Sequence, residues 1–394
     1  MSRILRAVDL GGLPIAAAVE AVAAALDGSG DALLPLPPDA AGARTLDALE
    51  PGTALRAGED DDTDPTALVL ATSGSTGTPK GALLQASALT ASAAATHARL
   101  GGPGTWLLAL AQHHVAGVQV LVRSSLAGTT PEVVDRTDGF ATDGFVRGTD
   151  ALLRRAGGRR YTALVPTQLL RLLDAGPAAV AALASYDAVL VGAAATSPSL
   201  LARAHEAGVT VVTTYGMSET CGGCVYDGAP LDGVAVDLED GRILLGGPMV
   251  ARGYRLRPDA GAFLERAGRR WFRTDDLGEL VGGRWRVTGR ADDVTVTGGL
   301  KVSPSAVEHI VSGLAEVSEC VVVGVPDAEW GQTVVAVVVP AGGQAVALQR
   351  VRAAVIETLG SAAAPRRLVV VERLPLRGPG KPDRAAVAAV ISGD

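Results

Sequence analysis

The sequence predicts an α/β protein. A large N-terminal domain has mainly parallel sheets covered by helices plus a small β subdomain, and a small α+β domain closes the chain. Three observations carry this reading. Apolar strand-like runs alternate with helical patterns from Ala67 to Gly216, which is the pattern of parallel βαβ units. From Gly241 the pattern changes to short strands and tight turns. Beyond Arg290 two continuous apolar strands stand among separate helical segments. The boundary falls near Arg290-Ala291-Asp292, giving domains 1–290 and 291–394.

In chain order, Ala67–Ala71 and Thr105–Leu110 read as strands. Val115–Leu126 reads as a buried helix, Tyr161–Val165 as a strand and Thr167–Asp174 as a helix. Asp187–Val191 is a strand, followed by a helix capped at Ser197 with Pro198 in its first turn. Val209–Thr213 is the next strand. Ile243–Leu245 and Arg284–Val287 suit an antiparallel or barrel-like subdomain. In the last part Val307–Leu314 and Leu348–Leu359 are helical, and Cys320–Gly324, Val334–Val339 and Leu368–Val371 are strands. Residues 56–66, rich in Asp, Gly and Thr, read as a surface loop or linker. The Ala-rich stretch before Ala67 is the least legible part.

Composition narrows the function classes. The chain is 48% hydrophobic but only 3% aromatic, so Ala, Val and Leu must build the core. A net charge of −7 without a basic block argues against nucleic-acid binding. No apolar run reaches transmembrane length uninterrupted, and Met1–Arg6 has no secretory apolar region. Three cysteines suggest a reducing compartment rather than a disulfide framework. A cytoplasmic protein is expected.

The most informative run is Thr72-Ser73-Gly74-Ser75-Thr76-Gly77-Thr78-Pro79-Lys80-Gly81. Glycines let backbone N–H groups curl around an oxyanion, hydroxyls add donors, and Lys80 adds a charge suited to phosphate. The spacing is not that of a Walker A loop, because Pro79 precedes the lysine and Gly81 follows it. Tyr215-Gly216-Met217-Ser218-Glu219-Thr220 follows a strand and offers a ring, a hydroxyl and a carboxylate. Phe272-Arg273-Thr274-Asp275-Asp276-Leu277, Gly289-Arg290-Ala291-Asp292-Asp293, Gly298-Gly299-Leu300-Lys301-Val302 and Leu374–Lys381 follow in order. Taken singly, each also suits a polar turn or loop.

Together these segments resemble the acyl-adenylate-forming enzymes: acyl-CoA ligases, peptide-synthetase adenylation domains and luciferases. The resemblance covers residues 72–381 and implies a carboxylic acid, ATP, Mg²⁺ and CoA as reaction partners. It implies that Thr72, Ser73, Thr76 and Lys80 hold the β- and γ-phosphates with the backbone of Gly74, Ser75 and Gly77. Tyr215, Gly216 and Ser218 would line the nucleotide, and Glu219 would hold Mg²⁺. Asp276 would accept from the ribose hydroxyls, and Arg290 would approach ribose or phosphate. Asp292 would be the hinge of a mobile C-terminal domain, and Gly298 and Gly299 would pass the pantetheine arm of CoA. Lys381 would bridge carboxylate and α-phosphate during adenylation. Asp275 stands where this family usually has Gly, and it is expected to point outward. The family usually carries a longer segment before the phosphate loop, so an abbreviated N-terminal subdomain or a compact subgroup is expected.

His113-His114-Val115-Ala116-Gly117 resembles a segment beside the acyl pocket, with His114 facing the acid. Read as a strand, the two imidazoles would point to opposite faces, which disfavours a metal pair. Arg123 sits inside an apolar helical run and needs a partner, either a protein carboxylate or a carboxylate of the substrate. Thr167 would line the pocket or cap its helix. Gly192 and Ala193 open a small-residue segment that would flank adenine and acyl group. Arg123, the Val165–Leu173 segment and the compact size most resemble the o-succinylbenzoate–CoA ligases of menaquinone biosynthesis. Another aryl- or acyl-CoA ligase is the same-class alternative, and a nucleotide-binding regulator without turnover the different-class one. Cys221-Gly222-Gly223-Cys224 reads either as a redox or zinc motif or, more simply, as a small-residue wall. The reading leaves room for a homodimer.

Overall fold

The computed structural model describes residues 3–37, 40–72, 79–136, 139–155, 157–257, 261–377 and 381–392. Contacts divide the chain into two compact units. The first comprises Met1–Ala193, Ala207–Asp237 and Leu244–Arg273, and the second Ala194–Glu206, Leu238–Ile243 and Thr274–Asp394. The main division therefore precedes Arg290, and two short excursions join the second unit.

Two of the sheets lie within the first unit. One orders the strands Leu5–Val8, Ala32–Pro35, Thr66–Thr72, Lys80–Gln85 and Gly253–Tyr254. The first three are parallel, and the helix Ile15–Leu26 makes the first crossover. The N-terminal stretch that the sequence left unread is thus a βαβ unit. Its outer edge is covered, because Leu5 N–H donates to Thr53 O at 3.0 Å and Gly52 N–H to Leu5 O at 2.7 Å. Leu5, Leu34, Leu49, Val69 and Leu83 form its core.

Residues 56–66 are the surface loop that was expected, but the loop is anchored at Glu59. Glu59 is buried and takes an ion pair from Arg255, whose own side chain is fully buried. Glu59 also accepts from Arg56 N–H at 2.9 Å and Leu256 N–H at 2.6 Å. Thr53 Oγ1 and Leu49 O satisfy further guanidinium protons. Local composition hid this, because the cation lies almost two hundred residues away in sequence.

The second sheet has seven strands in the order Ala229–Pro230, Gly222–Tyr226, Val211–Met217, Ala188–Val191, Arg159–Leu164, Gly104–Leu108 and Glu132–Val133. The last five are parallel, and the first two are added antiparallel. Strands such as Ala188–Val191 are buried throughout, as expected for parallel strands covered on both faces. The helix Val115–Leu126 is buried over Gly117–Ser124 and packs against the strand Gly104–Leu108 and the helix Ile15–Leu26.

In the second unit, the strand Arg269–Val281 from Asp276 onward forms a hairpin with Arg284–Arg290. Gly282 and Gly283 make its two-residue turn with φ of 57° and 76°, the left-handed pair that matches strand twist. A separate sheet orders Leu300–Val302, Thr295–Thr297, Gly331–Pro340 and Val317–Asp327, with Arg367–Val370 parallel to Gly331–Pro340. The valine runs are continuous because both faces are buried. Val322, Val334, Ala336 and Val338 meet the helices Pro304–Val311 and Leu348–Leu359, while Val321, Val323, Val335 and Val337 meet Leu374 and Val387. Among the described residues no helix is long and apolar enough to cross a membrane.

Candidate active site

In the first unit the expected residues gather at the C-terminal ends of the parallel strands, where open α/β sheets bind ligands. His114 follows Gly104–Leu108, Thr167 follows Arg159–Leu164, Gly192 and Ala193 follow Ala188–Val191, and Tyr215–Glu219 close Val211–Met217. The backbone is tight here. A Cβ on Gly192 would lie 2.2 Å from Thr214 Oγ1, and one on Gly216 would lie 2.1 Å from Gly222 O. Ala193 and Cys221 take left-handed φ values of 68° and 52°. Side chains with a Cβ hold such angles at a cost, and such strain clusters at functional sites.

Glu219 sits in the 3₁₀ turn Ser218–Thr220 and is 7% exposed. Tyr254 Oη donates to Glu219 Oε1 at 2.7 Å. Lys80 Nζ lies 5.3 Å from the centroid of the same ring. Tyr254 thus links the expected phosphate lysine to the expected metal carboxylate. The sequence reading missed it, because its strand Gly253–Tyr254 reaches Lys80–Gln85 only through sheet pairing. Thr72 ends the strand that pairs with Lys80. Ser73, Gly74, Ser75, Thr76 and Gly77 lie outside the described residues.

Two local expectations change. His113 and His114 are not on a strand but precede a helix, and their rings stack at 4.3 Å with 59° between planes. The argument from opposite strand faces therefore does not apply to this pair. Thr167 is not an N-cap. Val165 holds that position, and its N–H donates to Gln168 Oε1 at 3.0 Å.

Arg123 lies nine residues beyond His114, on the helix that His114 precedes, about 13 Å along the axis. It is 3% exposed. Its guanidinium stacks on Trp106 at 5.0 Å, and Nη2 donates to Thr96 Oγ1 at 3.4 Å. Nε–H has no partner, and no carboxylate pairs with Arg123 among the described residues. Burial pushes this guanidinium down from its ordinary value. Cys221 and Cys224 are buried, and burial pushes both thiols up. A thiol held protonated by burial is a weak nucleophile. The carbonyl of Cys221 accepts from Gln119 Nε2 at 2.7 Å and Ser92 Oγ at 3.0 Å.

In the second unit Arg290 is the centre of an acidic cluster. Nε and Nη2 donate to the two oxygens of Asp292 at 2.8 and 2.9 Å, and Nη1 donates to Asp276 at 3.2 Å. Asp275 lies 3.8 Å away and accepts from Arg242 at 2.6 Å. Hydrogen bonding to Asp292 raises Arg290, and the same bonds hold Asp292 below the usual carboxylate range. Asp275 lies within the strand Arg269–Val281 and points outward with 53% exposure.

Gly298 and Gly299 form a tight hairpin turn with φ of 55° and 80°. A Cβ on Gly298 would lie 2.8 Å from the ring of Trp330, and Gly298 N–H donates to Trp330 O at 3.0 Å. Arg366 stacks on that ring at 3.9 Å. This aromatic–guanidinium stack beside the glycine turn was also not legible in sequence. The backbone of Lys381 pairs with Arg377 in a two-stranded hairpin. The following helix Arg384–Ser392 is tied down by Arg384, which makes two bonds to Glu308 and one to Asp293.

A cluster of polar and glycine residues at strand ends and a separate lysine-bearing α+β unit define the class. The chain belongs to the AMP-binding enzyme family, whose profile matches residues 15–255, and the profile of the AMP-binding enzyme C-terminal domain matches residues 306–381. A probable 2-succinylbenzoate–CoA ligase of Mycobacterium tuberculosis is 49% identical over 346 residues, covering 86% of this chain and 88% of that one. The 2-succinylbenzoate–CoA ligase of Enterococcus faecalis is 28% identical, covering 81% and 68%. Among solved structures, the o-succinylbenzoate CoA synthetase of Bacillus subtilis in complex with its acyl-adenylate intermediate is similar, with a TM-score of 0.67. It is 26% identical, covering 82% of this chain and 69% of that one.

Proposed function

We propose that this chain is an AMP-forming 2-succinylbenzoate–CoA ligase. The observation that carries the substrate choice is the buried guanidinium of Arg123, which no carboxylate pairs among the described residues. A buried charge is costly unless paired, so a site that keeps one is suited to an anionic group from outside. The acid then carries two carboxylates, one reacting at the strand ends and one reaching Arg123. The similarity to relatives bearing that name supports the same reading.

Two steps follow. The reacting carboxylate attacks the α-phosphorus of ATP, pyrophosphate leaves, and an acyl-adenylate forms. CoA thiol then attacks the acyl carbon, and AMP leaves. Lys381 offsets the repulsion between carboxylate and α-phosphate. Lys80 and the hydroxyl-rich run after Thr72 hold the phosphates. Glu219, a hard oxygen ligand kept in place by Tyr254, fits Mg²⁺, which commonly takes one carboxylate plus phosphate oxygens. The bound ion would neutralise phosphate charge. Asp276 accepts from ribose, and Asp292 is the pivot about which Lys381 is withdrawn before thioester formation. The Gly298–Gly299 turn, with Trp330 and Arg366 beside it, suits CoA, since a ring and a guanidinium can stack on adenine and pair with phosphate. The free thiols suit a cytoplasmic setting.

The test is pyrophosphate release from MgATP with 2-succinylbenzoate, benzoate and a medium-chain fatty acid, with and without CoA. Turnover confined to 2-succinylbenzoate, with its CoA thioester formed, is expected. Turnover of monocarboxylic acids at equal kcat/KM would remove the substrate assignment and leave a broader acid–CoA ligase.

A further inference from the structure

The surroundings of Arg123 carry an inference that rests on the reading above and refines it. Thr96 is fully buried on the helix Ala86–Leu100, and Tyr226 is fully buried at the end of the strand Gly222–Tyr226. Their hydroxyls lie 3.0 Å apart. Arginine has no acceptor, so Thr96 Oγ1 must accept from Arg123 Nη2. Tyr226 in turn fixes Thr96, while the Trp106 face supports the guanidinium plane. Nη2 of the cation is therefore held by one neutral hydroxyl, itself fixed by a second, and Nε–H is left unpartnered. A carboxylate in place of this pair would neutralise Arg123 and fill its donors. Two hydroxyls orient it and leave its charge uncompensated and its Nε–H unpartnered.

We propose that Thr96 and Tyr226 are positioning residues that aim Arg123 at the second carboxylate of the acid and so set the preference for a dicarboxylate. They touch neither ATP nor the reacting carboxylate. Their removal should therefore alter discrimination between acids rather than the chemical step. A fixed guanidinium forms its bidentate bonds without first losing rotational freedom. Freed from Thr96, it would rotate against Trp106 and bind a carboxylate less well.

The experiment uses the full chain and two probes. These are 2-succinylbenzoate and 3-benzoylpropionate, the same acid without the ring carboxylate. The KM of the first, the Ki of the second and the KM of ATP are measured for Thr96→Val, Tyr226→Phe, Thr96→Ser and Arg123→Met. Thr96→Val is expected to raise the ratio of KM to Ki roughly ten-fold, the lower range for a hydrogen bond to a charged group. The KM of ATP should be unchanged. Tyr226→Phe should raise the ratio less, and Thr96→Ser, which keeps the hydroxyl, should restore it. If Arg123→Met alone moves the ratio, the hydroxyl pair has no such role and the substrate reading stands. If Arg123→Met also leaves it unmoved, both fail. Should Thr96→Val not fold, Tyr226→Phe with Thr96→Ser decides between the same outcomes.

Discussion

Arg123 in the first unit and Arg290 in the second hold their charge in opposite ways. Arg123 is buried against Trp106 with one hydroxyl partner, whereas Arg290 is 46% exposed and shared by three carboxylates. A buried cation without a counter-ion is stable only if the fold gains elsewhere or a ligand completes it. An exposed cation among excess carboxylates is already satisfied, and water screens what remains. The difference separates two tasks. Arg123 suits recognition of an anion taken out of water. Arg290 suits a local framework that orients Asp276 and Asp292 while staying able to rearrange. The same contrast holds between Glu219, enclosed under Tyr254, and the open Asp275–Arg242 pair.

The largest effects should come where one group faces developing charge. Lys381→Ala is expected to lower adenylation about 10²–10³-fold, read as pyrophosphate release. Thioester formation from supplied acyl-adenylate should be spared. Equal loss in both half-reactions would mean that the lysine is not withdrawn between them. Next comes the enclosed carboxylate. Tyr254→Phe removes the donor to Glu219 but keeps the ring under Lys80. A hydrogen bond to a charged group is worth about 1.5–3 kcal/mol, so kcat should fall at least roughly ten-fold, with a higher Mg²⁺ requirement. An unchanged Mg²⁺ dependence would detach Tyr254 from the metal role of Glu219.

The legibility of these two regions also differed. Lys80, Glu219, Asp276, Arg290 and Lys381 stood out in sequence because each lies in a short run of glycines and polar residues. The helix Leu348–Leu359 and the buried helix Val115–Leu126 were legible to the residue, since apolar periodicity and flanking turns agree there. What stayed hidden depends on long-range pairing. Tyr254 meets Glu219 from 35 residues away, and Arg255 meets Glu59 from 196. Trp330 reaches Gly298 only because Thr297 pairs with Gly331. The isolated charge of Arg123 was visible, but its hydroxyl partners come from two other elements. The βαβ unit at the N-terminus was masked by its alanines, which have no strand signal of their own.

Acid should expose the open framework. Hydrogen bonding to Arg290 depresses Asp292, so this carboxylate favours the folded state above its unfolded pKa, near 3.9. That contribution is lost as pH falls through the lower folded value. In thermal melts from pH 7 down to pH 2, Asp292→Asn should narrow its difference from the parent protein below about pH 4. A constant difference across that range would mean that the Arg290 bonds do not act through the charge of Asp292.

The smallest effect is expected at Asp275, and it tests whether the exposed network is only a framework. Asp275 pairs with Arg242 at 2.6 Å but is 53% exposed. Exposed ion pairs contribute about 0–1 kcal/mol and weaken in salt. Asp275→Asn should therefore change thermal stability by little, and the change should vanish as NaCl is raised. Arg290 keeps Asp276 and Asp292 in that variant, because its three shorter bonds do not involve Asp275. The KM of ATP should stay within about two-fold, since the lost contact to Arg290 is a long one. A large, salt-insensitive rise in that KM would place Asp275 in nucleotide binding and erase the contrast between a buried recognising cation and an exposed structural one.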